Sequence, residues 1–333
     1  MVHAVTGLQE AEENAAKGCK SFFMEIFAGA ATLSCLAVNM GLDISPPIDI
    51  AYDDRYNLLK KANRDHLEKL IEDEDPFLLT LAPVCGPRSS WQYINMARDE
   101  NTREKIIQQR KEWYPVLQWV AKIVRARLAK GREVLAENPW PSLLWRLRCV
   151  EDLFTEPVYN SITDEPLELV RIDQCMYGLM DEETSLPVQK ATGLLLSSRK
   201  MKELLQLRCD GQHLHQRLEG GSRTKKAEQW PESLCFSIIM GAVEEMKSQV
   251  VQLAFATEAA QEEQEEMGPL DGIHGPDDAE EMPAKRRRIN LEELDREEDY
   301  EEKYVDNTDE IVAYKEKVRR DNWLKISKDQ RVA

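Results

Sequence analysis

Ser21-Phe22-Phe23-Met24-Glu25-Ile26-Phe27-Ala28-Gly29-Ala30-Ala31-Thr32-Leu33-Ser34 runs from a short apolar stretch through a turn of small residues into an amphipathic pattern. A strand that ends in such a turn and opens directly into a helix lets a ligand approach the backbone and meet free amides. Working outward, strand-like runs at 21–27, 48–52, 77–82 and 133–136 alternate with helix-like runs at 31–40, 62–71 and 102–130. This rhythm predicts an α/β fold of the Rossmann-like, doubly wound kind: a mostly parallel sheet with helices on both faces. Ligands of such sheets sit outside the C-terminal ends of the strands, so the loops after each strand decide the function.

The chain carries 44 Lys and Arg against 61 Asp and Glu over 333 residues, a net charge of -17, so any contact with phosphates is local. Residues 251–333 hold 13 basic and 24 acidic residues, a large share of the imbalance. Residues 256–289 add Gly268, Pro269, Gly272, Gly275 and Pro276 to their acids and read as a disordered acidic linker. Residues 290–333 mix sparse apolar side chains with dense charge and read as a charged helical tail, while 1–20 read as a flexible N-terminus. The α/β domain is therefore expected over 21–255. No apolar run approaches the ~20 residues of a membrane span. Glu10, Glu12 and Glu13 suit neither a signal nor a transit peptide. Seven cysteines without a CxxC pair point to reduced thiols inside the cell.

Asp49 ends the second strand-like run about twenty residues after the first turn, where an acid commonly holds ribose hydroxyls. A solvated loop carboxylate is the plain alternative. The 77–82 run opens into Pro83-Val84-Cys85-Gly86-Pro87-Arg88-Ser89, in which two prolines fix a loop around a cysteine. A thiol presented there is placed to act as a nucleophile, although cysteine also serves as a small buried apolar residue. Glu137-Asn138-Pro139-Trp140 follows the next run and would face the same crevice. A thiol that attacks a pyrimidine needs such a carboxyl to hydrogen-bond the ring nitrogen and hold the developing charge.

These loops together resemble the DNA (cytosine-5) methyltransferase family over roughly residues 21–200. Phe27-Ala28-Gly29-Ala30-Ala31 looks like its F-x-G-x-G turn, Pro83-Val84-Cys85 like its P-C loop and Glu137-Asn138-Pro139 like its E-N-V segment. Methyltransferase-like segments of eukaryotic retroelements are similar at E-N-P-W, D-Q-C-x-x-G-L and R-C-D-G-x-H-x-H. The resemblance implies S-adenosylmethionine held by Phe27, Ala28, Gly29, Asp49, Asn57 and Pro83. It implies Cys85 and Glu137 as catalytic groups, and Arg88, Ser89, Asn138 and Lys190 at the substrate. The departures are Ala31 for the second glycine, Arg88 for an aromatic and Pro139 for valine. The Y-G-x-P-Q-x-R-x-R loop is echoed by Tyr177-Gly178-Leu179 and by Pro187-Val188-Gln189-Lys190, with lysine for arginine. Neither a sizeable target-recognition domain nor a clear last cofactor motif follows.

Residues 88–150 hold 13 basic against 6 acidic residues, and 186–230 hold 9 against 4. Such local excess suits a phosphate-contacting surface, with Trp91, Trp140 and Trp145 as stacking platforms, and it equally suits solvated helix faces. Cys209-Asp210-Gly211-Gln212-His213-Leu214-His215 gathers a thiol and two imidazoles. Cys209, His213 and His215 fit a structural zinc completed by Cys175 or Cys235, or are surface residues. Lys285-Arg286-Arg287-Arg288 reads as a nuclear import signal, with the cytoplasm as the other location. The leading expectation is methyl transfer to C5 of cytosine in DNA, with RNA open as substrate. The rival is a retroelement-encoded accessory or nucleic-acid-binding protein that keeps the fold without turnover.

Overall fold

The computed structural model describes residues 19–218 and 221–266. In chain order the elements are β1 (Phe23–Ile26), α1 (Thr32–Asn39), α2 (Lys61–Glu74), β2 (Leu78–Leu81), α3 (Gln92–Met96), α4 (Glu100–Ala129), β3 (Glu133–Pro139), α5 (Arg148–Thr155), β4 (Glu168–Asp173), β5 (Ala191–Leu196), α6 (Arg199–Leu204), α7 (Gly221–Lys226) and α8 (Glu232–Glu266). The remainder of the expected N-terminal segment, most of the linker, the tail and the basic cluster at 285–288 lie outside the described residues. Helix α8 runs to Glu266, past the residue 256 at which the linker was expected to begin.

The sheet has five strands in the order β1-β2-β3-β5-β4. β1, β2 and β3 are parallel neighbours, while β5 runs antiparallel to both β3 and β4. Side chains alternate between two cores as the pleat requires. Met24, Ile26, Leu79, Leu81, Val134, Ala136 and Leu195 meet α2, α4 and α5. Phe23, Leu78, Leu135, Leu194 and Leu196 meet α1, α6 and α8. Because both faces are covered, a strand such as β2 (Leu78-Leu79-Thr80-Leu81) is buried throughout and reads as a nearly continuous apolar run rather than an alternating one. No helix of the described residues is long and apolar enough to cross a membrane.

Residues 48–52 do not form a full strand, contrary to expectation. The segment at 43–48 does run along the free edge of β1: Ser45 N–H donates to Phe23 O (3.0 Å), Ile48 N–H to Glu25 O (2.8 Å) and Ala28 N–H to Ile48 O (3.1 Å). Pro46 and Pro47 lack the N–H that a regular ladder needs, so a single parallel bridge, Ile26 to Ile48, remains. The chain then turns at Asp49, whose Oδ1 accepts from Ala51 N–H at 2.8 Å.

α6 crosses α8 at Gly241, where a Cβ would stand 2.8 Å from Met201 Cα. Backbone cannot yield there. Gly241→Ala is expected to destabilise by about 2 kcal/mol, despite the ~1 kcal/mol that alanine adds to helix propensity. Urea unfolding checks this, and an unchanged midpoint would mean that the two helices separate freely.

Candidate functional site

β1, β2 and β3 end at one edge of the sheet, and β5, being reversed, begins there. The turn after β1 is built from left-handed backbone at Phe27 (φ 60°), Gly29 (φ 52°) and Ala31 (φ 51°). Each non-glycine residue in that region costs ~1–2 kcal/mol, a strain that the surrounding structure holds in place. Ala31 thus adopts a conformation that glycine would meet without strain. Open space lies where a Gly29 side chain would stand, so the turn faces outward.

Asp49 stands against this turn, its Oδ2 accepting from Gly29 N–H at 2.9 Å. Tyr52 donates its hydroxyl to Gly29 O at 2.5 Å. Ile50 and Tyr52 expose apolar surface beside the carboxylate. The Phe27 ring lies 6.3 Å from that of Trp113, and Ala28 is buried. Asn57 Oδ1 accepts from Leu59 N–H at 3.2 Å, shaping the approach to α2.

Cys85 follows β2 and leads into a short 3-10 turn, Gly86–Arg88. Pro83 O accepts from Asn138 Nδ2 at 2.7 Å, tying this loop to β3. Glu137 and Asn138 lie within β3, paired with Leu194 and Gly193 of β5, rather than in a loop beyond it. Both side chains are buried, and Glu137 Oε1 and Asn138 Oδ1 have no hydrogen-bond partner. Such buried acceptors cost ~1–3 kcal/mol each unless something donates to them.

Lys190, just before β5, brings its Nζ to 4.0 Å from Glu137 Oε1 and donates to Ala227 O at 3.0 Å. Burial raises the Glu137 carboxyl above its ordinary range, against the pull of Lys190. The Cys85 thiol is also raised, by burial first and by the charge of Glu137 second, while Lys190 lowers it. Glu137 therefore disfavours the Cys85 thiolate, and Lys190 acts on both groups in the opposite sense.

Other expected residues are placed differently. Ser89 Oγ accepts from Trp91 N–H at 3.3 Å. Arg88 is buried, with Nη2 reaching Arg110 O on α4 at 3.5 Å, and faces inward. Trp145 is buried, its Nε1 donating to Pro139 O at 3.0 Å, so it is closed to a base. Trp91 and Trp140 are exposed, with the Arg171 guanidinium 5.9 Å from the Trp140 ring. Part of the positive charge in 88–150 is internal: Arg127 and Arg132 both pair with Asp75.

At the same edge, Cys175, Cys209, His213 and His215 place one ligand atom each within 4.8 Å of one another. Cys175 lies just past β4, a partner the sequence reading left open against Cys235. Cys235 is instead buried in the core on α8. No family model matches the sequence, and no curated protein does.

Proposed function

We propose that the chain is an S-adenosylmethionine-dependent methyltransferase acting at C5 of cytosine in DNA, on a doubly wound, Rossmann-like sheet. The reading rests above all on Glu137, a buried carboxyl whose Oε1 accepts no hydrogen bond and has Lys190 Nζ 4.0 Å away, and whose charge acts on Cys85 at the sheet edge where the strands end. The chain leaves β1 toward 43–48 on one side and returns to β2 on the other, which makes the end of β1 a switch point. The outward-facing turn at Gly29, with Asp49 beside it and the apolar surfaces of Ile50 and Tyr52, fits a nucleoside with a charged tail.

S-adenosylmethionine, when bound, supplies an electrophilic methyl group on a sulfonium. The chain's own residues prepare the base. Cys85 Sγ, as thiolate, forms a bond to C6 of an extruded cytosine. Glu137, whose protonated form burial favours, would donate to N3 and hold the charge that develops on the ring. The charge of Glu137 disfavours the thiolate, and Lys190 favours it. The C6–S bond breaks once C5 has gained its methyl and lost its proton to a base, which restores the aromatic ring.

A calorimetric titration with S-adenosylmethionine tests the cofactor half of this reading. Binding is expected, and Asp49→Ala should weaken it by ~1–3 kcal/mol, the value of a hydrogen bond to a charged group. Absence of heat with folded wild-type protein would overturn the reading, and unchanged affinity in the variant would remove Asp49 from the site. A second reading, a nucleic-acid-binding protein without turnover, is favoured by the inward-facing Arg88 and the raised Cys85 thiol.

A further inference from the structure

We propose that Cys175, Cys209, His213 and His215 form a tetrahedral zinc site that pins the 207–216 loop to the end of β4. The geometry carries the argument. With Zn–S at ~2.3 Å and Zn–N at ~2.0–2.1 Å, tetrahedral angles place sulfur and nitrogen about 3.6 Å apart. Cys209 Sγ stands 3.7 Å from His213 Nε2 and 3.4 Å from His215 Nε2. All four ligand atoms fall within 4.8 Å of one another, and a two-thiolate, two-imidazole set selects zinc over harder cations.

The surroundings of Cys209 suit a thiolate ligand. Gly211 N–H donates to its Sγ at 3.3 Å, and the left-handed Gly211 (φ 75°) lets the chain turn back to do so. Cys209 N–H in turn donates to Asp173 Oδ2 at 3.0 Å, on the last residue of β4. The loop has almost no core of its own: Leu207 and Leu214 are exposed. Without apolar burial, ordering a loop requires another source of free energy, and metal binding supplies it. The same edge continues into the candidate active site, because Gln174 N–H donates to Lys190 O at 3.0 Å. The ion would thereby stiffen the segment that presents Lys190 to Glu137.

The test uses the full chain, purified under reducing conditions without chelator. Elemental analysis should find about one zinc per chain. After metal removal, Co(II) should restore the intense visible bands of tetrahedral cobalt with a thiolate charge-transfer band. Cys175→Ser and Cys209→Ser should each weaken or abolish these bands, while Cys235→Ser leaves them intact. Wild-type protein without stoichiometric zinc and without the tetrahedral cobalt spectrum would overturn the proposal. So would a spectrum that survives Cys175→Ser, or a Cys175–Cys209 disulfide in the reduced preparation. None of these readouts depends on methyl transfer or on S-adenosylmethionine, so failure here leaves the proposed function standing.

Discussion

An oligonucleotide carrying 5-fluorocytosine is expected to become covalently trapped on the protein in the presence of S-adenosylmethionine. Trapping should vanish in Cys85→Ser. The adduct formed at C6 resolves only when C5 loses its proton, and fluorine cannot leave as a cation. Glu137→Gln should slow adduct formation about 100-fold, the usual scale for one acid–base partner. That variant keeps the shape of the side chain but loses the proton that the buried carboxyl would place on N3. Denaturing electrophoresis of the complex reads both results. A Cys85→Ser protein that still traps would move the nucleophile elsewhere. Wild-type protein that binds cofactor yet traps neither DNA nor RNA would favour the binding protein without turnover.

The second large effect concerns a carboxyl outside the site. Glu133, at the start of β3, is fully buried. Its Oε1 accepts from Asn160 Nδ2 at 2.8 Å and Gln249 Nε2 at 2.7 Å, and its Oε2 meets the Ser197 hydroxyl. Burial pushes the group up to about 8, and Glu245 adds to this, against the hydrogen bond from Ser197 and the charge of Lys202. The folded chain then keeps a proton that the unfolded chain releases near pH 4.5. Stability from this group is full below that pH and falls by ~1.4 kcal/mol per unit as pH rises toward 8. Glu133→Gln keeps the Oε1 acceptor and can donate to Ser197, so it should flatten the slope and be more stable than wild type at pH 8 by ~3 kcal/mol. Glu25, raised by burial to about 7, leaves the same residual slope below pH 7 in both proteins and cancels in their difference. Urea unfolding at a series of pH values measures it, and parallel curves for the two proteins would refute the assignment.

β1, β2, β3, α1, α2 and α4 were legible because they rest on local periodicity, whereas the strand expected at 48–52 is only a single bridge. An apolar run such as Phe77 to Leu81, interrupted only by Thr80, reads as a strand buried on both faces, and the core-facing stripe of α4 repeats at helical spacing. The small-residue turn, the position of Asp49 and the rigid loop at Cys85 were likewise visible in the order of residues. β4 and β5 were not. β4 is half-exposed and carries charge, and β5 is interrupted by Gly193, which weakens a strand pattern. Only packing explains that glycine: a Cβ would stand 2.9 Å from the Trp145 ring.

The reversed direction of β5 is also a property of the sheet, since pairing direction leaves no mark on a six-residue segment. That reversal brings Lys190 to Glu137, and the same edge brings Cys175 to the Cys209 loop, across separations that no local pattern records. Burial was decided in the same way. Arg88 and Trp145 have the chemistry of surface contacts, yet α4 and β5 close over them. Sequence by itself therefore determined the α/β rhythm and the types of reactive group, because these follow from neighbours along the chain. Which groups meet, and which are sealed away, was settled by the tertiary structure, through strand direction and packing between distant segments.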